Sequence, residues 1–447
     1  MISSKGLLKN SCTLMSASGT DRVVMIKRIL VALAVISISA NVAYCGTYSG
    51  GTGEPSNPYR IATANDLNDI GNHPNDFDKH FILVNDINLA EYTGTQFNII
   101  GNDVNEFTGV FDGNGHTISN FTYSSNDVNY IGLFRYVDDP NAEIKDVTFV
   151  DPTVKAGTGS CVGVLVGCLY DGSVAGCRID SGNIRGGSCV GLLVGANESD
   201  GTIFNCYTEG SVYGEVAVGG VVGNNRGVID SCRVIAVVIG DNGAGILIGS
   251  NVSPFALISN CYGTGNVTGD YCTGGLIGLN DAGEIHNSYA KVSVDGNENV
   301  GGLVGGSTRD ITCSFADSIV FGNINTVGLV GNNSGLIQNC YSAGSVDGND
   351  VSGAFVGRNN SGGILENCYS ASSVSGIADV GGLVGYNDSG SYTKSFWDRN
   401  VNPDVNGIGY GSEPNVIGET TANMQRRNTF TDAGWDFVGE TANGSND

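Results

Sequence analysis

The hexapeptide Val-Gly-Gly-Leu-Val-Gly returns along this chain at a nearly constant interval, and that recurrence restricts the fold more than any other feature. It is complete at Val300 to Gly305 and Val380 to Gly385, carries one substitution at Val162 to Gly167, Val190 to Gly195 and Val218 to Gly223, and has looser copies between. Its last glycines are Gly167, Gly195, Gly223, Gly249, Gly278, Gly305, Gly331, Gly357 and Gly385, 26 to 29 residues apart, so the period is about 27. A degenerate earlier copy, Ile131-Gly132-Leu133-Phe134, brings the number to ten. A unit this short buries its apolar face only by stacking on its neighbours.

A second recurring segment, such as Ile337-Gln338-Asn339-Cys340-Tyr341, lets the repeats be aligned position by position. One column reads Ile144, Val174, Ile203, Ile229, Ile258, Ile285, Ile311, Ile337, Leu365 and Tyr392. Three residues on, every member is small: Val147, Cys177, Cys206, Cys232, Cys261, Ser288, Ser314, Cys340, Cys368 and Ser395. Six further on stand Val212, Val238, Val267, Val294, Val320, Val346, Val374 and Val401. Columns that keep their chemistry are expected when equivalent positions stack in register about 4.8 Å apart. Short β-branched runs broken by Gly, Asn, Asp and Ser read as strands separated by turns. The pattern predicts an all-β chain, a right-handed parallel β-helix of about ten coils with capping segments at both ends. Propeller blades need about 40 residues or more, so that alternative is too large for the period. Asn205, Asn260, Asn287, Asn339 and Asn367 lie between two inward columns three apart, which strict alternation forbids; a corner in the left-handed region is expected there.

At the ends, Lys27 and Arg28 followed by the apolar run Ile29 to Ala40 read as a signal peptide, too short to span a membrane. The expected layout is an upstream extension at 1–24, a signal peptide at 25–45, an N-terminal cap with the first coils at 46–129, the repeats at 130–401 and a C-terminal capping segment at 402–447. Thr63 to Ile70 suits a short amphipathic helix, Phe81 to Val84 a strand, and Phe430, Trp435 and Phe437 a cap on the last coil. Without residues 1–45 the chain keeps 16 basic and 44 acidic residues, a net charge of −28. Nucleic acid and anionic membrane surfaces are poor partners for such a chain.

Of 13 cysteines, 11 remain after the leader, an odd number. In-register side chains point the same way, so the Cys column reads as stacked small hydrophobes, and Cys161 with Cys189 is the best-placed pair for a disulfide. Cys45 is a poor lipidation site because Tyr44 precedes it. His73, His80, His116 and His286 are scattered, no close Cys or His spacing exists, and neither a metal nor a cofactor is expected.

These residues resemble bacterial secreted proteins carrying the GLUG motif. The likeness rests on the repeated hexapeptide, the Asn-Cys-Tyr-Ser segments, the opening Gly53-Glu54-Pro55 to Asp66-Leu67 and the closing Asp432-Ala433-Gly434-Trp435-Asp436-Phe437. It implies a β-helical fold, as in the non-catalytic parts of bacterial immunoglobulin A peptidases, and no catalytic residues. It also implies a chain cut short at Asp447, since relatives run past the closing block.

Three functions are open to such a chain: an exported surface or adhesive module without catalysis, a carbohydrate-binding module, and a β-helical polysaccharide lyase or hydrolase. The last rests on fold analogy alone. It needs paired carboxylates, whereas Asp295 and Asp347 lie two coils apart and Arg178 and Arg233 are separated by Tyr207. Sugar binding would use the column Tyr207, Tyr262, Tyr289, Phe315, Tyr341, Tyr369 and Phe396, for which corner packing of stacked rings is the alternative. The surface module, with polysaccharide or protein as its partner, needs a contact face. Leu and Val are adjacent in each hexapeptide, and a straight strand turns one of them outward. The candidate face is the column Phe134, Val166, Val194, Val222, Ile248, Ile277, Val304, Val330, Val356 and Val384; the alternative is that the strand bends at Gly and buries both side chains, or that a loop covers the stripe.

Overall fold

Each coil turns where an apolar β-branched run meets a residue that tolerates the left-handed backbone region. Asn205, Asn260, Asn287, Asn339 and Asn367 have φ of 54°, 54°, 46°, 55° and 51°, the corner anticipated for them and one that Asn adopts at little cost. The Asn287 side chain donates to Asn260 Oδ1 at 2.6 Å and Asn367 to Asn339 Oδ1 at 3.1 Å, so corners of successive coils are tied together. The computed structural model describes residues 46–411 and 415–435. The signal-peptide segment, Cys45 and Phe437 lie outside the described residues.

Short strands pair in parallel from coil to coil, and the pairs are the ones the columns anticipate. Val174 pairs with Ile144 and Ile203, Ile229 with Ile203 and Ile258, and Ile285 with Ile258 and Ile311. The members of this column are at most 2% exposed. The parallel solenoid has about 12 turns rather than ten. The added coils precede the first hexapeptide: Tyr59 pairs with Phe81, Phe81 with Phe111 and Phe111 with Ile144. They lie in the 46–129 segment expected to hold the first coils and carry no glycine signature by which to count them. At about 4.8 Å per turn, the axis is roughly 55 Å long.

The ends are closed as expected, with small shifts. The helix Ala64–Ile70 starts from a Thr63 capping box. The buried Asp66 carboxylate accepts from Ser49 Oγ at 2.7 Å, Ala62 N at 2.9 Å and Thr63 N at 3.1 Å. The following strand is His80–Leu83. At the other end Phe430 and Trp435 pack on Phe396 and Tyr369. The third column fails at its end. Val374 is only half-buried and Val401 is 38% exposed in a turn. Asn402 is buried instead, accepting from Val374 N and donating to Ser372 O.

Of the two readings of the hexapeptide stripe, the structure has burial, and the apolar face does not exist. All ten residues from Phe134 to Val384 are fully buried, and so are Leu165, Leu193, Leu303, Leu329 and Leu383 beside them. The strand is not straight: Ser188–Gly191 and Val194–Phe204 are separated by a bend at Leu192 and Leu193. The adjacent side chains therefore enter the core from two walls that meet at a corner. Gly195 permits the close approach: a Cβ there would lie 2.3 Å from the Cys161 carbonyl carbon of the preceding coil.

Across the core, two walls exchange volume. One column runs Ile87, Ile118, Phe149, Ile179, Thr208, Val234, Gly263, Ala290, Ala316, Ser342, Ser370 and Trp397. Opposite it stands the second glycine of the hexapeptide or its substitute. Where that position holds Ile246, the first wall shrinks to Gly263, whose Cβ would meet Ile246 Cγ2 at 2.1 Å. Where it is Gly382, the first wall swells to Trp397, whose ring lies 2.2 Å from where a Cβ would be. Close packing at constant coil spacing demands this compensation.

Candidate functional site

With the hexapeptide stripe inside, the candidate surface is the outer wall, and its most ordered feature is the aromatic column. Tyr262 and Tyr289 have ring centroids 4.4 Å apart at 31°, followed by Tyr289 and Phe315 at 4.6 Å and 7°, Phe315 and Tyr341 at 4.6 Å and 6°, and Tyr341 and Tyr369 at 5.1 Å and 7°. The separations match the coil spacing, so the rings stack along the axis. Arg178 continues the stack over Tyr207 at 3.9 Å, and Arg233 over Tyr262 at 5.3 Å. A sugar packs its C–H groups on an aromatic face. Here the faces within the stack are occupied by neighbouring rings or guanidinium groups, and the half-buried column offers edges.

Asp295, Asp347, Arg178 and Arg233 stand where the sequence alignment put them, whereas Asp138, Asp171 and Asp200 fall in register on three successive coils. Phe321 separates Asp295 from Asp347, and Tyr207 separates Arg178 from Arg233. Arg178 pairs with Asp180 at 2.7 Å, Arg226 with Glu198 at 2.7 Å and Lys291 with Asp317 at 2.8 Å. His116 Nδ1 lies 3.2 Å from Asp86 Oδ1, His73 Nδ1 is 2.8 Å from Asp69 O, and His286 Nδ1 is 2.9 Å from Thr312 Oγ1. A depression of about 470 Å³ at the C-terminal cap is lined by Tyr369, Met424, Gln425, Arg426, Arg427, Phe430 and Trp435, a set without a carboxylate. Large exposed apolar side chains such as Val237, Ile239, Ile319 and Phe321 stand in columns interrupted by Ser, Thr and Asp, and form no stripe.

Two arrangements escaped the sequence reading. Asn197, Asn225, Asn251 and Asn280 are fully buried and form a chain: each Nδ2 donates to the next Oδ1 at 2.8 Å, and Asn280 donates to Ser307 Oγ at 3.0 Å. Asn333 and Asn359 repeat it at 2.9 Å. The signal was present as Val-Gly-x-Asn or Ile-Gly-x-Asn two residues past the hexapeptide. The second is a left-handed corner column of Tyr130, Cys161, Cys189, Ala217, Gly243, Cys272, Asn299 and Asn325, with φ between 51° and 67°. Its residue types share no chemistry, so alignment does not single it out.

The GLUG motif is matched at residues 186–213 and 269–295. This chain carries GLUG repeats. Over 136 residues it is 35% identical to a protein of Evansella cellulosilytica described as a Gly-rich membrane protein, a stretch covering 30% of this chain and 16% of that one. Over 144 residues it is 33% identical to halomucin of Haloquadratum walsbyi, covering 29% of this chain and 2% of halomucin. The chain thus spans well under a fifth of either relative. A crystal structure from Bacteroides ovatus, described as an immunoglobulin A1 protease, aligns over 77% of this chain and 86% of its own at 19% identity and a TM-score of 0.37. That likeness is too loose to carry an argument. A GLUG-repeat solenoid with these relatives fits a surface repeat protein. Among the described residues, no helix is long and apolar enough to cross a membrane.

Proposed function

We propose that this GLUG-repeat chain is an exported, non-catalytic protein of the cell surface, whose acidic and polar outer wall serves as an extended structural or contact surface. The observation that carries the reading is the use of reactive and recognition-type side chains for coil-to-coil contacts. Aromatic faces stack on one another, arginines lie over rings, and the Asn amides hydrogen-bond along the axis. The relatives' names, a membrane protein and a mucin, support placement at the surface. The N-terminal basic and apolar run supports export.

Protease shaving of intact cells tests the placement: peptides from residues 46–447 should be released before lysis. Recovery only from the cytoplasmic fraction overturns it. Carbohydrate binding is the second reading, kept because tyrosines rim the outer wall. Affinity electrophoresis in polysaccharide gels, comparing the wild type with Tyr341→Ala, decides it. Retardation that the substitution abolishes would replace the structural reading with a sugar-binding one, and unretarded migration of both supports the structural reading.

A further inference from the structure

Eleven free thiols occupy the described residues, and eight of them stand in two contrasting environments. Cys177, Cys206, Cys232, Cys261, Cys340 and Cys368 line the interior, and each Sγ donates to a carbonyl two residues earlier, as Cys206 does to Phe204 O at 3.3 Å. No oxidant reaches them without unfolding the coil. Cys161 and Cys189 differ: they are equivalent positions of successive coils, both partly exposed, on the left-handed corner column with φ of 57° and 53°. The backbone stacks them directly, with Val162 N donating to Cys189 O at 3.0 Å and Cys161 N to Ser188 O at 2.9 Å. Stacked Cα atoms about 4.8 Å apart fall within the disulfide range of roughly 4.4–6.8 Å. The neighbours in the column are Tyr130 on one side and Ala217 on the other, so each of the two thiols has the other as its stacked thiol partner.

We propose that Cys161 and Cys189 form a disulfide on the outer wall that ties two successive coils together. The interaction between the two neighbouring thiols draws the Cys189 thiol below its ordinary value, with Arg226 adding to it, and together with burial pushes the Cys161 thiol up. Cys189 is then the attacking thiolate. With a small-molecule disulfide as oxidant, Cys189 Sγ attacks one of its sulfurs, the other leaves as a thiol, and a mixed disulfide forms. Cys161 loses its proton to water and attacks Cys189 Sγ. The Sγ–Sγ bond forms and the second small thiol leaves. Two protein thiols are oxidised and one small-molecule disulfide is reduced to two thiols. Cys168, buried beside Tyr136, is pushed up to about 12 by burial and stays a thiol.

The test uses the Cys313→Ser chain, which removes the one thiol exposed among the described residues and with it the links that thiol makes between molecules. The protein is treated with oxidised glutathione, then denatured, alkylated and digested. Oxidation is expected to remove two labelled thiols and yield one linked peptide pair joining Cys161 to Cys189. Its rate should rise with pH around a midpoint below that of an ordinary thiol. The oxidised protein should also unfold at higher urea than the reduced one, a difference absent from the Cys161→Ser/Cys189→Ser variant. Full labelling after oxidation of the folded protein, or a link through any other pair, overturns the proposal.

Discussion

The first coils and the later ones fill the same columns with opposite materials. Between Phe81 and Phe149 the interior is aromatic: Phe81, Phe107, Phe111, Phe121, Phe134 and Phe149 are at most 1% exposed, with neighbouring ring centroids 4.7–6.2 Å apart. From Gly263 to Ser370 one wall falls to Gly, Ala and Ser, and hydroxyls enter the core at Thr273, Thr326, Ser342 and Ser352. The Thr273, Thr326 and Ser352 hydroxyls find no hydrogen-bond partner. The later coils compensate with order along the axis, in the buried Asn chain and the external ring stack. Interlocked aromatics close an end with large apolar area; small side chains allow a unit to be copied, because identical neighbours fit in register.

The comparison breaks most visibly with Ile285→Asp, which places an unpaired carboxylate in a 1% exposed column at a cost of several kcal/mol. Hydrogen exchange is expected to accelerate in the coils around residue 285 while the Phe81 to Phe149 region stays protected. Equal loss at both ends would mean one cooperative unit and erase the distinction.

Phe111→Ala tests the aromatic end, where the cavity should cost about 3–5 kcal/mol in urea unfolding. A loss below about 1 kcal/mol would show that those rings do not hold the end closed.

The volume exchange predicts coupling. Gly263→Val alone should cost about 1–3 kcal/mol through overlap with Ile246. Adding Ile246→Gly, which by itself opens a cavity, should give a double variant more stable than the sum of the two losses. Strict additivity would reject the cross-core compensation.

The smallest effect has the opposite sign. Thr326 shares its column with Val218, Val300 and Val380 and leaves its hydroxyl unpaired. Thr326→Val should raise stability by about 1 kcal/mol, read as a higher urea midpoint. Destabilisation would show that the hydroxyl has a role that the packing does not account for.

By itself the sequence determined the period, the inward Ile column and the Asn corners at Asn205 to Asn367. All of these are readable because in-register stacking places like residues on like and turns each structural position into a chemical column. Only the tertiary structure decided what depends on one wall facing another. It buried Val166 to Val384 beside their leucines, because the strand bends where two walls meet. It matched Gly263 to Ile246 and Trp397 to Gly382 and turned the tyrosines edge-outward. Distances across a core are set by residues far apart in the chain, and no single repeat, read along its length, contains them.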